Sequence, residues 1–296
     1  MYKRSFGSKI FDIFNICFLT LLCFTMIFPL WNVLMTSLVG VGEYFKRPII
    51  LWPQHFNFES YKYIFSDKML LSSFSVTVFI TIVGTIYSVL LTTLMAYPLT
   101  KKNLPGRKFL LLIIMITMFF DGGLIPTYIL IRQIHLFNTL FALILPMGIS
   151  VWSFIITKTF FSQLPVELEE SARIDGAGEF KIFLKIILPI SLPVLATISL
   201  IYAVAYWNTW FSSLLYIQNP KFFTLQHVLR EMIVNNVRPA EMDQSAFNAG
   251  LNVDSGTFDE GIKMATVIFA TVPILIVYPF LQKYFVKGMM IGSIKG

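Results

Sequence analysis

The sequence predicts an all-α polytopic membrane protein with six transmembrane helices, and three observations support this fold class. Hydrophobic residues make up 56% of the 296-residue chain and charged residues only 13%, whereas soluble domains carry about 25% charged residues. The mean hydropathy is +0.73. The apolar residues also fall into runs of about 20 residues or more, the length of helix that crosses a bilayer.

Six spans are predicted, five from runs of this length and one from a shorter run, all within a single transmembrane domain over residues 1–296. The first run could instead belong to a signal peptide, because basic residues precede it. It is longer than the apolar part of a typical signal peptide and has no small-residue cleavage site, so we expect a retained helix. In chain order the runs cover residues 10–38, 69–97, 109–120, 139–161, 188–216 and 263–285.

The third run, 109–120, is too short to span the membrane by itself. It meets Asp121, Gly122 and Gly123, and Pro126 follows. Glycine and proline both interrupt helices. We therefore expect this span to be broken near 121–126.

The basic residues between the runs predict the orientation of the chain. Four segments hold 14 of the 23 Lys and Arg residues within 63 positions, and the other nine are spread over 95 residues of three further segments. Basic residues favour the cytoplasmic side, where they also meet anionic lipid, so the basic excess indicates orientation and not nucleic-acid binding. Both termini are therefore predicted to be cytoplasmic. The four basic segments are 1–9, 99–108, 158–187 and 283–296.

The outer loop 217–262 is long, and five of its apolar residues recur at helical spacing. This spacing indicates a short amphipathic helix outside the hydrocarbon core. Such a helix could lie on the membrane surface or dock to an extracellular partner. The five residues are Leu225, Val228, Leu229, Met232 and Ile233.

The sequence lacks the motifs of several functional classes. The dipeptide Gly-Lys never occurs, so the chain has no P-loop for a nucleotide. No charged residue lies deep in spans two, four, five or six, where an ion-coupled carrier would need one. Gly-x-Ser-x-Gly and His-Glu-x-x-His are also missing, and the three histidines are far apart in sequence. We therefore predict no catalytic residue, bound cofactor or metal site on this chain.

The cytoplasmic loop 162–187 predicts a pair of short helices. Pro165 and three glutamates that follow it suit the first turn of one helix, and Gly176 supplies its end. A second helix follows before Pro189 opens the fifth span. Its apolar stripe could lie on lipid, but the nearby carboxylates suit a groove in a partner protein better. The stripe consists of Phe180, Phe183, Leu184 and Ile187.

This loop also resembles a known signature. Glu170-Ser171-Ala172, Gly176 after three residues and Ile186-Ile187-Leu188-Pro189 after nine more match E-A-A-x3-G-x9-I-x-L-P. That is the EAA signature of permease subunits of ATP-binding cassette (ABC) importers, and Ser171 is its single departure. The run from Glu169 to Ala177 resembles the carbohydrate-uptake branch, which includes the smaller maltose permease. Segments 122–128, 206–210 and 278–288 resemble a subgroup that imports oligosaccharides and uronate-containing glycans.

The resemblance implies a function and a set of partners. It implies a bacterial multi-pass subunit that carries oligosaccharides or other sugars inward from an extracellular solute-binding protein by alternating access. A second homologous permease and two cytosolic ATPase subunits would complete the complex, with ATP and Mg bound by those ATPases. An importer of the same class for another solute is the first alternative, and a secondary carrier is the next.

The candidate site consists of two groups of residues. The first group would take part in the coupling to the ATPase that the resemblance implies: Glu170, Ser171, Ala172, Arg173, Asp175, Gly176, Phe180, Phe183, Ile186, Leu188 and Pro189. Within this group, Arg173 and Asp175 could equally form a solvated surface pair. Sugars need aromatic planes beside amides or carboxylates, although tryptophan and tyrosine also form belts at membrane interfaces. A substrate path is predicted to include Asp121, Tyr202, Tyr206, Trp207, Asn208 and Trp210.

Overall fold

The computed structural model describes residues 6–47, 49–237 and 258–293, and every regular element in these ranges is helical. The chain divides into two compact units. Unit 1 comprises residues 1–68 and 245–271, and unit 2 comprises residues 69–244 and 272–296. The predicted all-α fold is confirmed for the described residues.

The helices are labelled in chain order. They are α1 (Phe6–Thr36), α2 (Val41–Tyr44), α3 (Glu59–Ser66), α4 (Lys68–Ala96), α5 (Arg107–Phe119), α6 (Leu124–Gln133), α7 (Phe141–Met147), α8 (Val151–Ser162), α9 (Glu167–Ile174), α10 (Glu179–Ile190), α11 (Leu192–Trp207), α12 (Phe211–Tyr216), α13 (Leu225–Val234) and α14 (Asp259–Ser293).

Three helices in the described ranges are individually long and apolar enough to cross a membrane, namely Gly7–Thr36, Lys68–Thr100 and Asp259–Val277. Three helix pairs meet the same criterion when each pair is taken together, and each pair is bent at a short break. The bends are 115° between α5 and α6, 50° between α7 and α8, and 82° between α10 and α11. The 115° bend lies at residues 120–123 and confirms the predicted break of the third run.

Two runs that look continuous in the sequence are broken in the structure. In run 139–161, α7 ends at Met147 just after Pro146, and Ser150 caps α8 by accepting a hydrogen bond from the Ser153 amide at 3.4 Å. In run 188–216, the chain bends at Ser191 between two prolines, and α11 already ends at Trp207. Proline lacks the backbone N–H that a helix uses as a donor. This explains why one break lies near Pro146 and the other lies between Pro189 and Pro193.

The core of unit 2 lies where α4, α8, α10 and α11 pack together. Its most buried side chains come from all four helices and include two tyrosines of α11. This core is the platform that carries the exposed loop between α8 and α11. Among its members are Ala96, Phe154, Phe161, Ile182, Phe183, Ile187, Ile198, Tyr202 and Tyr206.

The predicted amphipathic helix of the outer loop is present as α13. Its residues Leu225, Val228 and Met232 are buried, and the Leu225 amide donates a hydrogen bond to Thr77 Oγ1 of α4 at 2.8 Å. Most of the apolar face is therefore covered by unit 2 itself.

Unit 1 contains α1, whose most apolar 18-residue window buries nothing within the chain. Apolar surface of this extent is typical of a helix that faces lipid or another subunit. Elsewhere in unit 1, Ser37 Oγ and the Tyr61 hydroxyl are hydrogen-bonded at 2.7 Å, and the rings of Phe65 and Phe269 meet edge to face at 5.7 Å.

Candidate functional site

Helix α9 is a short acidic helix whose end is fixed by one glycine. Gly176 has a φ of +79°, a left-handed conformation that strains residues with a Cβ. Its amide donates to the Arg173 carbonyl at 3.0 Å, and the Ala177 amide donates to the Ala172 carbonyl at 2.9 Å. These two bonds form a Schellman motif, which satisfies the last carbonyls of the helix. The predicted stop at Gly176 is therefore confirmed.

Helix α10 contains a π-helical turn at Phe183–Ile187. Ile182, Phe183 and Ile187 are buried, whereas Phe180 and Leu184 remain 67% and 45% exposed. A π turn has more residues than an α turn, so it rotates the following side chains around the axis. The predicted four-residue stripe is therefore divided into a buried pair, Phe183 and Ile187, and an exposed pair, Phe180 and Leu184.

Five side chains connect the two loop helices to each other and to the end of α4. Lys101, which follows α4, pairs with Glu169 of α9 and lies 4.2 Å from the centre of the Tyr97 ring. Arg173 Nη2 lies 3.4 Å from Glu169 Oε2 and 2.7 Å from Glu179 Oε1 of α10. The Tyr97 hydroxyl donates to Glu179 Oε2 at 3.2 Å. We call these five residues the ion-pair clasp.

The clasp gives Arg173 a role within the loop that the sequence did not predict. The hydrogen bond to Glu179 and the charge of that carboxylate raise the pKa of Arg173 above its ordinary value. Within its own loop, Arg173 pairs with two carboxylates, Glu169 and Glu179, and not with Asp175 as the surface-pair alternative expected. Sequence reasoning missed Tyr97 and Lys101, because their partners lie 82 and 68 residues away.

The remaining coupling candidates fall into an exposed and a buried group. Ser171 is exposed, and its hydroxyl donates to the Leu168 carbonyl at 3.3 Å, so the departure from alanine is accommodated. Ile174, which the sequence analysis did not select, is 87% exposed. The sequence signal that could have identified Ile174 is its position as an isoleucine in an acidic helix. Glu170, Asp175, Gly176, Phe180 and Pro189 are also exposed, Ile186 and Leu188 are half-buried, and Ala172 and Phe183 are buried.

Two of the substrate-path candidates, Tyr202 and Tyr206, are buried and hold the bend between α7 and α8. The Tyr202 hydroxyl accepts from the Ser150 amide at 3.0 Å, and the Tyr206 hydroxyl donates to the Ile144 carbonyl at 3.0 Å. The bend leaves these backbone groups without helical partners, and in an apolar interior they need others.

The same two hydroxyls also reach α4. The Tyr202 hydroxyl is hydrogen-bonded to Thr92 Oγ1 at 2.7 Å, and the Tyr206 hydroxyl to Ser88 Oγ at 2.9 Å. A Cβ at Gly84 would lie 2.6 Å from the Tyr206 ring, so the ring needs a glycine opposite it. We call Ser88, Thr92, Tyr202 and Tyr206 the tyrosine bridge. Both tyrosines face the interior of unit 2, so their hydroxyls serve a structural role in this structure.

The other path candidates are more accessible, except Trp207. Trp207 is 7% exposed and meets Phe74 edge to face at 6.1 Å. Asn208 is exposed and donates to the Val204 carbonyl at 2.8 Å. Trp210 is 39% exposed, with the Arg230 guanidinium carbon 5.1 Å from its ring centre.

Asp121 is exposed within the break between α5 and α6. Its Oδ1 accepts a hydrogen bond from the Gly123 amide at 2.8 Å, so the carboxylate stabilises the start of α6. Gly123 itself has a φ of +85°. Asp121 thus has a local structural role that leaves its second oxygen toward solvent.

Trp207 also lines an apolar groove between α4, α11 and α14, with a volume of about 280 Å³. Sugars carry a hydroxyl on most carbons and need polar partners, so this groove is poorly suited to them. Its lining consists of Val78, Thr81, Ile82, Leu200, Ala203, Val204, Trp207, Pro273, Ile274 and Val277.

Helix α13 carries a buried histidine, His227. His227 Nδ1 is 3.0 Å from Ser213 Oγ, and its ring is 4.2 Å from that of Phe223. Burial lowers the pKa of His227 below its ordinary value of 6.5, with Glu231 opposing and Arg230 reinforcing the shift. Burial therefore favours the neutral form of the imidazole. Among the described residues, no cluster of three or more His, Cys, Asp or Glu side chains could hold a metal ion.

These features define an integral membrane protein with long apolar helices, bent helix pairs and one exposed, charged helical hairpin. Over residues 1–291 the sequence matches the family described as the binding-protein-dependent transport system inner membrane component. The chain belongs to this family and is a transport permease subunit.

Named relatives match nearly the whole chain. The protein LplC of Bacillus subtilis (strain 168) is 44% identical over 290 residues, which cover 98% of this chain and 96% of LplC. The polygalacturonan/rhamnogalacturonan transport system permease protein YtcP of the same organism is 40% identical over 289 residues, covering 98% of this chain and 99% of YtcP.

The fold is also similar to a crystal structure of a bacterial ABC transporter involved in the import of the acidic polysaccharide alginate. The TM-score is 0.88 and the sequence identity 27%, with 96% of this chain and 100% of that chain covered. The expected family, ABC importer permeases, is thereby confirmed.

Proposed function

We propose that this chain is the permease subunit of a bacterial ABC importer that moves oligosaccharides, including uronate-containing ones, into the cytoplasm by alternating access. The observation that carries the proposal is the exposed helical hairpin α9–α10, which presents the family signature on a chain related over its full length to a permease named for polygalacturonan and rhamnogalacturonan. The alginate transporter of similar fold supports an acidic glycan as the first substrate class to test.

The energy would come from two cytosolic ATPase subunits that bind ATP and Mg, since this chain has no P-loop. The exposed surface of the hairpin offers both charge and apolar area to them. Glu170 and Ser171 lie near Ile174 on α9, and Phe180 begins α10 with 67% exposure. A carboxylate beside exposed apolar side chains suits a groove that has a basic rim.

The other signature residues would act through the attachment of the hairpin and not through contact with the ATPase. Gly176 sets the turn, and Ala172 and Phe183 are buried in the core of unit 2. Ile186, Leu188 and Pro189 precede the 82° bend into α11. A displacement of the hairpin would therefore reach α11 directly along the chain.

The membrane arrangement follows from counting each bent pair as one span. That count gives up to six spans. The distribution of basic residues favours an orientation in which the hairpin and both termini would lie in the cytoplasm. The protein would lie in the bacterial cytoplasmic membrane, beside a second homologous permease and in contact with lipid.

The path for the solute would use exposed polar and aromatic side chains. Asn208, Trp210 and Asp121 remain candidates because each is accessible. Trp210 offers an aromatic plane with a guanidinium beside it, which suits a sugar that carries a carboxylate. Tyr202 and Tyr206 would support the wall of the path from behind.

Reconstitution in proteoliposomes with the second permease and the ATPases tests this function. We expect uptake of labelled oligogalacturonates to require ATP inside and the solute-binding protein outside. Neutral arabino-oligosaccharides serve as the comparison substrate. Uptake without ATP would contradict the importer assignment, and uptake of neutral sugars alone would contradict the acidic substrate class.

A further inference from the structure

Helix α10 is anchored in the core of unit 2 by Ile182, Phe183 and Ile187. Helix α9 has little apolar contact with the rest of unit 2, and this raises the question of what fixes its position. Within α9, all of which the structure describes, Ala172 is the one buried residue. A groove of about 370 Å³ also separates part of α10 from the end of α4. It is lined by Leu94, Tyr97, Pro98, Lys101, Leu104, Glu179, Phe180 and Phe183. Hydrophobic packing therefore leaves part of this junction unfilled.

The ion-pair clasp supplies the polar contacts of this junction and joins α9, α10 and the end of α4. The Lys101–Glu169 pair is its more sheltered part, with side-chain exposures of 26% and 15%. The corresponding values for Arg173 and Glu179 are 44% and 57%. Partial burial reduces the screening of a charge pair by solvent, so the Lys101–Glu169 pair is the stronger link.

The α4 end of the clasp is itself well fixed. A 3-10 turn at Pro98–Thr100 follows the helix, and the Thr100 hydroxyl donates to the Tyr97 carbonyl at 2.7 Å. Arg107 Nε donates to the Leu99 carbonyl at 2.8 Å, which ties the start of α5 to the same turn. Lys101 therefore directly follows a turn that two side-chain hydrogen bonds hold in place.

At the hairpin end, Arg173 bridges the two helices across the turn at Gly176. Its guanidinium contacts Glu169 on α9 and Glu179 on α10, and Glu179 in turn accepts from the Tyr97 hydroxyl. Because each member contacts at least two others, a displacement of α9 is passed to both α10 and α4.

We propose that Tyr97, Lys101, Glu169, Arg173 and Glu179 are positioning residues that make the hairpin and the inner end of α4 move together. This inference rests on the proposed function, in which an ATPase displaces the hairpin. Loss of the clasp leaves the ATPase contact intact but lets the hairpin move without α4, so ATP is hydrolysed with less transport.

The test uses the complete complex in proteoliposomes and measures solute transported per ATP hydrolysed. We expect Lys101→Met and Glu169→Gln each to lower this ratio by about two- to fivefold, the range that one partly sheltered ion pair sustains. Lys101→Arg keeps the charge and should restore most of the ratio. The exposed neighbour Lys102 supplies the matched control, Lys102→Met, which should leave the ratio unchanged.

The double variant distinguishes a shared role from two separate ones. If Lys101 and Glu169 act through each other, Lys101→Met has no further effect in the Glu169→Gln background. Additive losses, or a ratio equal to that of the unmodified complex in both single variants, would overturn the clasp. Failure of the proposed function is distinguishable, because the unmodified complex would then show no ATP-driven uptake at all.

Discussion

Two regions of unit 2 connect helices in opposite ways. The ion-pair clasp joins the hairpin to α4 at an exposed surface through charged side chains. The tyrosine bridge joins α4, α11 and the α7–α8 bend through neutral hydroxyls that are almost fully buried. The first region can meet a partner protein, whereas the second has no accessible surface to offer.

The difference between the two regions concerns the free energy of breaking each connection. A buried donor or acceptor that loses its partner costs about 1–3 kcal/mol, because no water replaces the bond. An exposed ion pair contributes about 0.2–1 kcal/mol, since water and salt compete for its charges. The tyrosine bridge is therefore suited to holding a fixed bend, and the clasp to holding a part that moves.

The largest effect on stability is expected for Tyr206→Phe. It removes the donor to the Ile144 carbonyl and the partner of Ser88 Oγ, so the free energy of unfolding should fall by about 1–2 kcal/mol. Thermal unfolding in detergent measures the change. Tyr128→Phe is the matched control, because this half-buried tyrosine keeps its ring contacts. Equal unfolding midpoints for the two variants would contradict the bridge.

Gly176→Ala should have the next largest effect, and it should act on the hairpin. The left-handed conformation at φ +79° costs a residue with a Cβ about 1 kcal/mol. We expect the complex to assemble and hydrolyse ATP while uptake falls. Gly178→Ala is the control, since Gly178 has an extended backbone at φ −72°. Normal uptake by Gly176→Ala would remove the signature loop from the coupling mechanism.

A smaller, pH-dependent effect on stability is expected from His227 of α13. The pKa of His227 is lower in the folded protein than its ordinary value of 6.5, so the folded state favours the neutral ring. Stability from this site is complete above pH 6.5 and is lost as the pH falls through the folded pKa. His227→Gln should flatten the acidic side of the stability profile, and exposed His55→Gln should not. An unchanged profile in His227→Gln would exclude this role.

The smallest effect is expected for Arg173→Gln. The Arg173 side chain is 44% exposed, so solvent already weakens its two ion pairs. The ratio of transport to hydrolysis should fall less than in Lys101→Met, and added salt should reduce the difference between the variants. A larger loss in Arg173→Gln than in Lys101→Met would reverse the proposed ranking within the clasp.

The sequence predicted features that local chemistry determines. Gly176 ends α9 because only glycine adopts its conformation easily, and the run Asp121-Gly122-Gly123 marks the 115° break. The apolar spacing at Leu225–Val234 predicted α13. Each of these signals lies within a dozen residues of the structure that it specifies.

Features that depend on distant residues could not be predicted in this way. The α7–α8 bend is held by hydroxyls from α11, and aromatic residues in a packed interior look the same in sequence as those beside a solute path. The spacing of the stripe residues in α10 did not reveal the π turn at Phe183–Ile187. Lys101 and Glu169 are 68 residues apart, and no local pattern connects them.

Photo-crosslinking from Ile174 determines whether the exposed face of the hairpin meets the ATPase. A photoreactive amino acid at this 87% exposed position should form a covalent adduct with the ATPase subunit in the assembled complex, while the same group at Leu112 of α5, which is 57% exposed, should not. An ATP-driven complex in which position 174 forms no adduct with the ATPase would contradict the account.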